Sequence, residues 1–165
     1  MISLTSTRFG DMEVDEGDII NFPAGIPGFE ENHSWILVGD EDNAIMWLHS
    51  IEDGSLALPV TTPESIKGDY NAKLPRESLE QIGELDMKAV ILLIVIAIPP
   101  GRPWDMTANL RAPILVNWAS RIATQAIAMN EDYDFRYPVL DDAARESMKL
   151  KSAAAAAAEA SEKAN

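Results

Sequence analysis

The spacing of its turns constrains this chain more than any other feature. Eight or more short runs of β-forming residues are separated, about every eight to fifteen residues, by clusters of glycine, proline, aspartate and asparagine. Such connections are too short to carry a crossover helix to a parallel neighbour. The spacing predicts an all-β chain, mainly antiparallel, built as a small β-barrel or sandwich.

The individual runs support this. Residues 2–9 alternate, with Ile2, Leu4 and Ser6 on one side, as a half-exposed strand does. Residues 12–14, 34–38, 44–51 and 56–60 follow as strands, with a polar turn at 40–43. Pro59 limits the last of them to an edge or bulge position. Residues 75–83 read as a short helix, opened by Pro75 and ended by Gly83. The most apolar run, 89–98, predicts a buried strand and is half the length of a membrane span. Residues 106–118 return to β, interrupted at Pro113, with Ile114, Val116 and Trp118 on one face. Strands at 123–129 and 133–139 complete the set. From Asp141 onward alanine and charged residues dominate, which predicts a helix over 141–152 and a weakly ordered tail over 153–165. The chain therefore divides into one β domain, 1–140, and a helical, Ala-rich C-terminal tail, 141–165.

One stretch is more rigid than a turn needs to be. Ile19, Ile20 and Phe22 begin a strand, and Pro23, Gly25, Pro27 and Gly28 then exclude a helix. Ile26 and Phe29 stand inside this turn, where a plain surface loop carries polar residues. Either the loop folds back over the core or it presents an apolar tip to a partner.

Charge and composition narrow the function. With 165 residues, 47% of them apolar, the chain can bury a real core. It has no cysteine, so disulfides and thiolate metal sites are excluded. No basic segment followed by an apolar run opens the chain, and the cytoplasm is the expected compartment, with no membrane association. Residues 1–64 carry thirteen acidic side chains against Arg8 alone, nearly the whole net charge of −14. Direct nucleic-acid binding is disfavoured, because phosphate contacts need lysine and arginine. An acidic first half either serves solubility, the reading that charge by itself favours, or steers a basic protein partner. Glu13, Asp15, Glu16 and Asp18 lack the order of a calcium loop, and no metal or cofactor site is expected. No nucleophile elbow, phosphate loop or zinc helix is present, so the chain reads as a non-enzyme. Trp35, Trp47 and Trp118 fit strand faces and should pack. Trp104, beside the proline loop at 99–103, is the indole expected to be exposed to a partner.

The run F-P-A-G-I-P-G-F-E at 22–30 resembles the hallmark of the FliW family of flagellar assembly factors. Further matches follow in order: W-L-H-S-I-E-D at 47–53, N-L-R-A-P-I at 109–114 with Asn117, then Gln125 and Y-D-F-R at 133–136. The resemblance implies a β-barrel-like binding protein with two competing partners. One is CsrA, a basic RNA-binding translational regulator, which such a protein antagonises. The other is flagellin, whose accumulation captures the factor and frees CsrA. The alternative is a flagellin or secretion chaperone without a role in translation. The motif positions carried over are Phe22, Gly25, Ile26, Pro27, Gly28, Phe29 and Glu30, then Leu48, Ser50 and Glu52, then Asn109, Leu110, Ala112, Pro113, Ile114 and Asn117; of these, Gly25–Glu30 with Glu52, Asn109, Leu110, Ala112 and Pro113 either form a partner surface or merely fix the barrel. The physical motive is that a proline-broken edge strand at 109–113 leaves backbone groups free for an added peptide. His49 stands where the family pattern has glutamine.

Overall fold

In the computed structural model, which describes residues 1–39, 43–83 and 87–164, the short runs pair mostly with their sequence neighbours. β1 (Ile2–Ser6) and β2 (Gly10–Val14) form a separate hairpin. β3 (Ile20–Asn21), β4 (Ser34–Val38), β5 (Met46–Ser50) and β6 (Ala57–Thr61) make an antiparallel meander. A short helix, α1 (Arg76–Gln81), intervenes before β7 (Val90–Ala97), which pairs back on β6. β8 (Thr107–Ala108) continues the far end of β7, and β9 (Ile114–Asn117) lies along its beginning. β10 (Ile122–Gln125) is antiparallel to β9 and parallel to β3, with Ile122 opposite Asn21. That parallel seam closes seven strands into a barrel. β11 (Tyr137–Pro138) edges β8, and the chain ends in α2 (Asp142–Ala164). Of the two architectures that turn spacing allows, the protein adopts the barrel.

Alternation along β7 shows how the core is arranged. Ile91, Leu93 and Val95 point into the barrel, against Phe22, Trp35, Leu48 and Ile114. Val90 and Leu92 point outward beneath α1, where Leu79 and Ile82 meet Leu115 and Ala126. Ile94 and Ile96 face a third cluster with Leu110, Tyr70 and Tyr133. Both faces of β7 are therefore covered, which is why its sequence is apolar without a break. Ile36 and Val38 of β4 point outward as well, under Leu4 and Val14 of the hairpin.

The hairpin is docked by polar contacts too. Gly54 lies so near β1 that a Cβ there would stand 2.1 Å from the Thr5 carbonyl oxygen, and Thr7 N donates to Gly54 O. Beside this contact His49 is fully buried. Its Nδ1 donates to Ser50 O at 2.7 Å, and Nε2 meets Ser6 Oγ at 2.8 Å. Ser6 Oγ already accepts from Arg8 N and Phe9 N, so its own proton goes to Nε2.

Several expectations need correction. Pro59 lies on an interior strand, not an edge. The β6–β7 ladder pairs only Val60 and Thr61, so the missing N–H stands outside it. Residues 106–118 form two strands, because Pro113 and the turns before it carry the chain away from β8. Trp118 does not share the packed face of Ile114 and Val116. It is 40% exposed, with the Arg121 guanidinium over its ring at 3.8 Å. The helix predicted to stop at 152 continues unbroken to Ala164. The turn predicted at 40–43 lies, except for Asn43, outside the described residues.

Candidate functional site

The hallmark stretch folds into a loop closed at its neck. Phe22 N donates to His33 O at 2.8 Å, and His33 Nδ1 donates to Phe22 O at 3.0 Å. Within the loop Pro27 and Gly28 occupy the two central positions of a turn closed by Phe29 N donating to Ile26 O, 2.7 Å. Gly28 has φ +93°, as the third residue of a type II turn requires. Gly25 also has positive φ, and a Cβ there would meet Glu30 Cα at 2.7 Å. Glu30 Oε1 accepts from Gly28 N at 2.9 Å, and that bond holds its carboxyl below the ordinary range. Glu52 Oε1 accepts from His33 N and Ser34 N, tying the loop's exit to β5.

The loop answers the question its apolar residues pose. Ile26 is buried in the barrel core, and Phe29 packs partly against it, so the loop folds back over one barrel mouth. The mouth is not sealed. An apolar groove of about 410 Å³ runs between Ile26, Pro27 and Phe29 on one bank and Asn109, Ala112 and Gln125 on the other. Leu58 and Val95 form its floor where the β6–β7 ladder stops. Ile127 and Phe135, 54% and 52% exposed, rim the open side.

Two amides set the second bank. Asn109 Oδ1 accepts from Ala112 N at 3.0 Å, and Gln125 Nε2 donates to Ala112 O at 2.9 Å. Arg111 Nε donates to Ala128 O, with its guanidinium 5.9 Å from the Phe135 ring. The backbone at 109–113, expected to be free for an added strand, is already bonded. Asn109 N donates to Val95 O, Leu110 N and Arg111 N to Asp134 O, and Ala126 N and Ala128 N donate to Pro113 O and Arg111 O.

The structure thus brings Ile26, Pro27 and Phe29 together with Asn109 and Ala112. Gly25, Gly28, Glu30 and Glu52 shape the loop. Leu110 is buried in another cluster with Tyr133, and its carbonyl accepts from Tyr70 Oη. Trp104 is half-buried in a tight turn, Pro103–Asp105, against which α2 docks, away from the groove. Sequence reasoning missed Leu58, Val95 and Ile127, and it matched Gln125 and Phe135 to the family without placing either on the surface. Ile127 read as an ordinary strand residue, although the chain leaves β10 at Gln125. No group of His, Cys, Asp or Glu able to hold a metal occurs among the described residues. The groove's lining offers apolar side chains and two amides.

Comparison with known proteins accords with this arrangement. The family model described as "FliW protein" matches residues 3–140. The chain belongs to the FliW family. It is 38% identical over 140 residues to the flagellar assembly factor FliW of Thermotoga maritima, covering 84% of this chain and 94% of that one. The Leptospira interrogans flagellar assembly factor FliW is 36% identical over 146 residues, covering 88% of this chain and 97% of the relative. A crystal structure of the flagellar assembly factor FliW superposes with a TM-score of 0.79 at 30% identity, covering 86% of this chain and 99% of that one. The FliW match ends at the start of α2, and none of the described helices is long and apolar enough to cross a membrane.

Proposed function

We propose that this chain is a non-enzymatic flagellar assembly factor that works by partner exchange in the cytoplasm. It binds CsrA and antagonises it. It also binds flagellin, so that rising flagellin withdraws it and CsrA represses again. Family membership supports the flagellar role. The observation that carries the binding reading is the apolar groove where the hallmark loop meets Asn109 and Ala112, with Ile127 and Phe135 exposed beside it. Exposed apolar side chains around a formed groove mark a binding surface. Exchange between two partners follows from mass action and needs no cofactor.

The test is titration calorimetry of this protein with CsrA from the same organism, alone and with flagellin already bound. Tight CsrA binding that flagellin abolishes is the expected result. Ile127→Ser and Phe135→Ser remove exposed side chains and should each weaken groove binding by about tenfold. Binding to flagellin but not CsrA would leave the chaperone reading, and binding to neither would overturn both.

A further inference from the structure

The barrel has a second mouth, at the beginning of β7, and among the described residues no loop of hallmark type folds into it. Leu37, Met46, Ile91 and Leu93 line a largely apolar hollow of about 610 Å³ there, with Trp118 on its rim and Lys88 and Thr62 as its polar lining. A second hollow of about 400 Å³ adjoins it and shares Leu37 and Trp118. Its outer wall is Glu13, Asp15 and Asp18. We propose that these two hollows form one docking surface for a protein segment in which a large apolar side chain is flanked by lysine or arginine. The proposal is independent of the groove beside the hallmark loop, which lies near Val95, farther along the same strand.

Three observations carry it. The first is the adjacency of an apolar well and a carboxylate ridge, joined by one exposed indole. The second is the state of the charges. Glu13, Asp15 and Asp18 are exposed and take part in no ion pair among the described residues. Arg121 shares their hollow, its guanidinium on the Trp118 ring, and Lys88 lines the apolar one, so three carboxylates against two cations leave the surface net negative, with the excess on the outer wall. The third is backbone strain. Arg121 has φ +61°, the one positive value outside glycine among the described residues. An L-residue in that region costs about 1 kcal/mol relative to glycine, and such outliers gather at functional sites. Here the strained residue holds the indole between the two hollows. A second copy of this chain does not suit the surface, because its charge of −14 would repel the same ridge.

The test uses the full chain, labelled at methionine and isoleucine methyls, and a fluorescein-tagged amphipathic peptide of leucine and lysine. A leucine–glutamine peptide serves as the apolar control. The expected result is that the leucine–lysine peptide shifts the Met46 methyl and the Trp118 indole signals, leaves Ile127 unmoved, and binds at least about fivefold more tightly than the control. Paired Glu13→Gln and Asp18→Asn should weaken it at least about fivefold, whereas Glu131→Gln with Asp132→Asn, at a distant turn, should not. Trp118→Ala should abolish the Met46 shift, and the charge pair keeps the test valid if that variant does not fold. Shifts centred on Ile127, equal loss with either charge pair, equal binding of the control peptide, or shifts that grow with protein concentration alone would each overturn the proposal. Ile127→Ser, which tests the hallmark groove, should leave this binding unchanged.

Discussion

Gly25 and Gly28 both have positive φ, yet they are held by different constraints. At Gly28 a Cβ would meet open space, so Gly28→Ala carries only the backbone penalty, about 1 kcal/mol. At Gly25 the Cβ would also collide with the Glu30 backbone, and the loop could not close without moving. Gly25→Ala should therefore destabilise the fold by about 2 kcal/mol or more, and urea titration of the two variants will separate them. Tyr70 gives a pH signature. Its ring stacks on Tyr133 at 4.9 Å, its hydroxyl donates to Leu110 O, and burial, with the neighbouring Tyr133, pushes its pKa up to about 12. A raised folded-state value means the folded form holds the proton more tightly. Its contribution is full below pH 10, the ordinary value, and is lost as pH rises towards 12. Ultraviolet titration should show one of the three tyrosines ionising last, and Tyr70→Phe should flatten the loss of stability over that window. Early ionisation of all three would refute this. None of these constraints is visible in the sequence beyond the identity of the residues, because each arises from what the fold brings alongside.

The C-terminal helix is attached at one end. Asp105 accepts from Arg145 at 2.5 Å and pairs with Arg102 at 2.6 Å, while Asp141 caps the helix by accepting from Ala144 N. Beyond Met148 the side chains through residue 158 are exposed. The bond from Arg145 holds the Asp105 carboxyl below its ordinary value of 3.8. A lowered value means the contact is complete above that pH and is lost as the carboxyl protonates on the acid side. Asp105→Asn should speed hydrogen exchange in the first two turns of α2 at neutral pH while leaving the barrel strands unchanged. Unaltered exchange would show that the Arg145–Asp105 contact does not hold the helix. Elements bounded by glycine and proline were legible in advance: α1 opens after Pro75 and closes at Gly83, and the hallmark turn follows its prolines. Pro59 misled because a proline forbids only the bond it would have donated. An interior strand tolerates it where the ladder has already stopped. The α2 boundary was missed because a missing apolar stripe says nothing against a helix of high alanine propensity.

Across the whole molecule the charge is lopsided, and the consequence belongs to association rate. If the acidic first half steers a basic partner, raising salt should slow association with the proposed partner CsrA steeply while changing dissociation little, as stopped-flow mixing will show. Equal sensitivity of both rates would credit the contact itself instead. The candidate groove was legible in part. The hallmark loop and Asn109 could be paired on resemblance, but its floor at Leu58 and Val95 depends on where one ladder ends, which no local pattern encodes. The parallel seam was equally hidden, since it joins residues about a hundred positions apart. That seam has a consequence during synthesis. Until the ribosome has released β9 and β10, β3 and the beginning of β7 must wait with bare edges, and the nascent meander remains an open, sticky ribbon. The barrel's last-made wall is also its lock, so a message truncated before residue 122 yields a substrate for chaperones and proteases in place of a shortened factor.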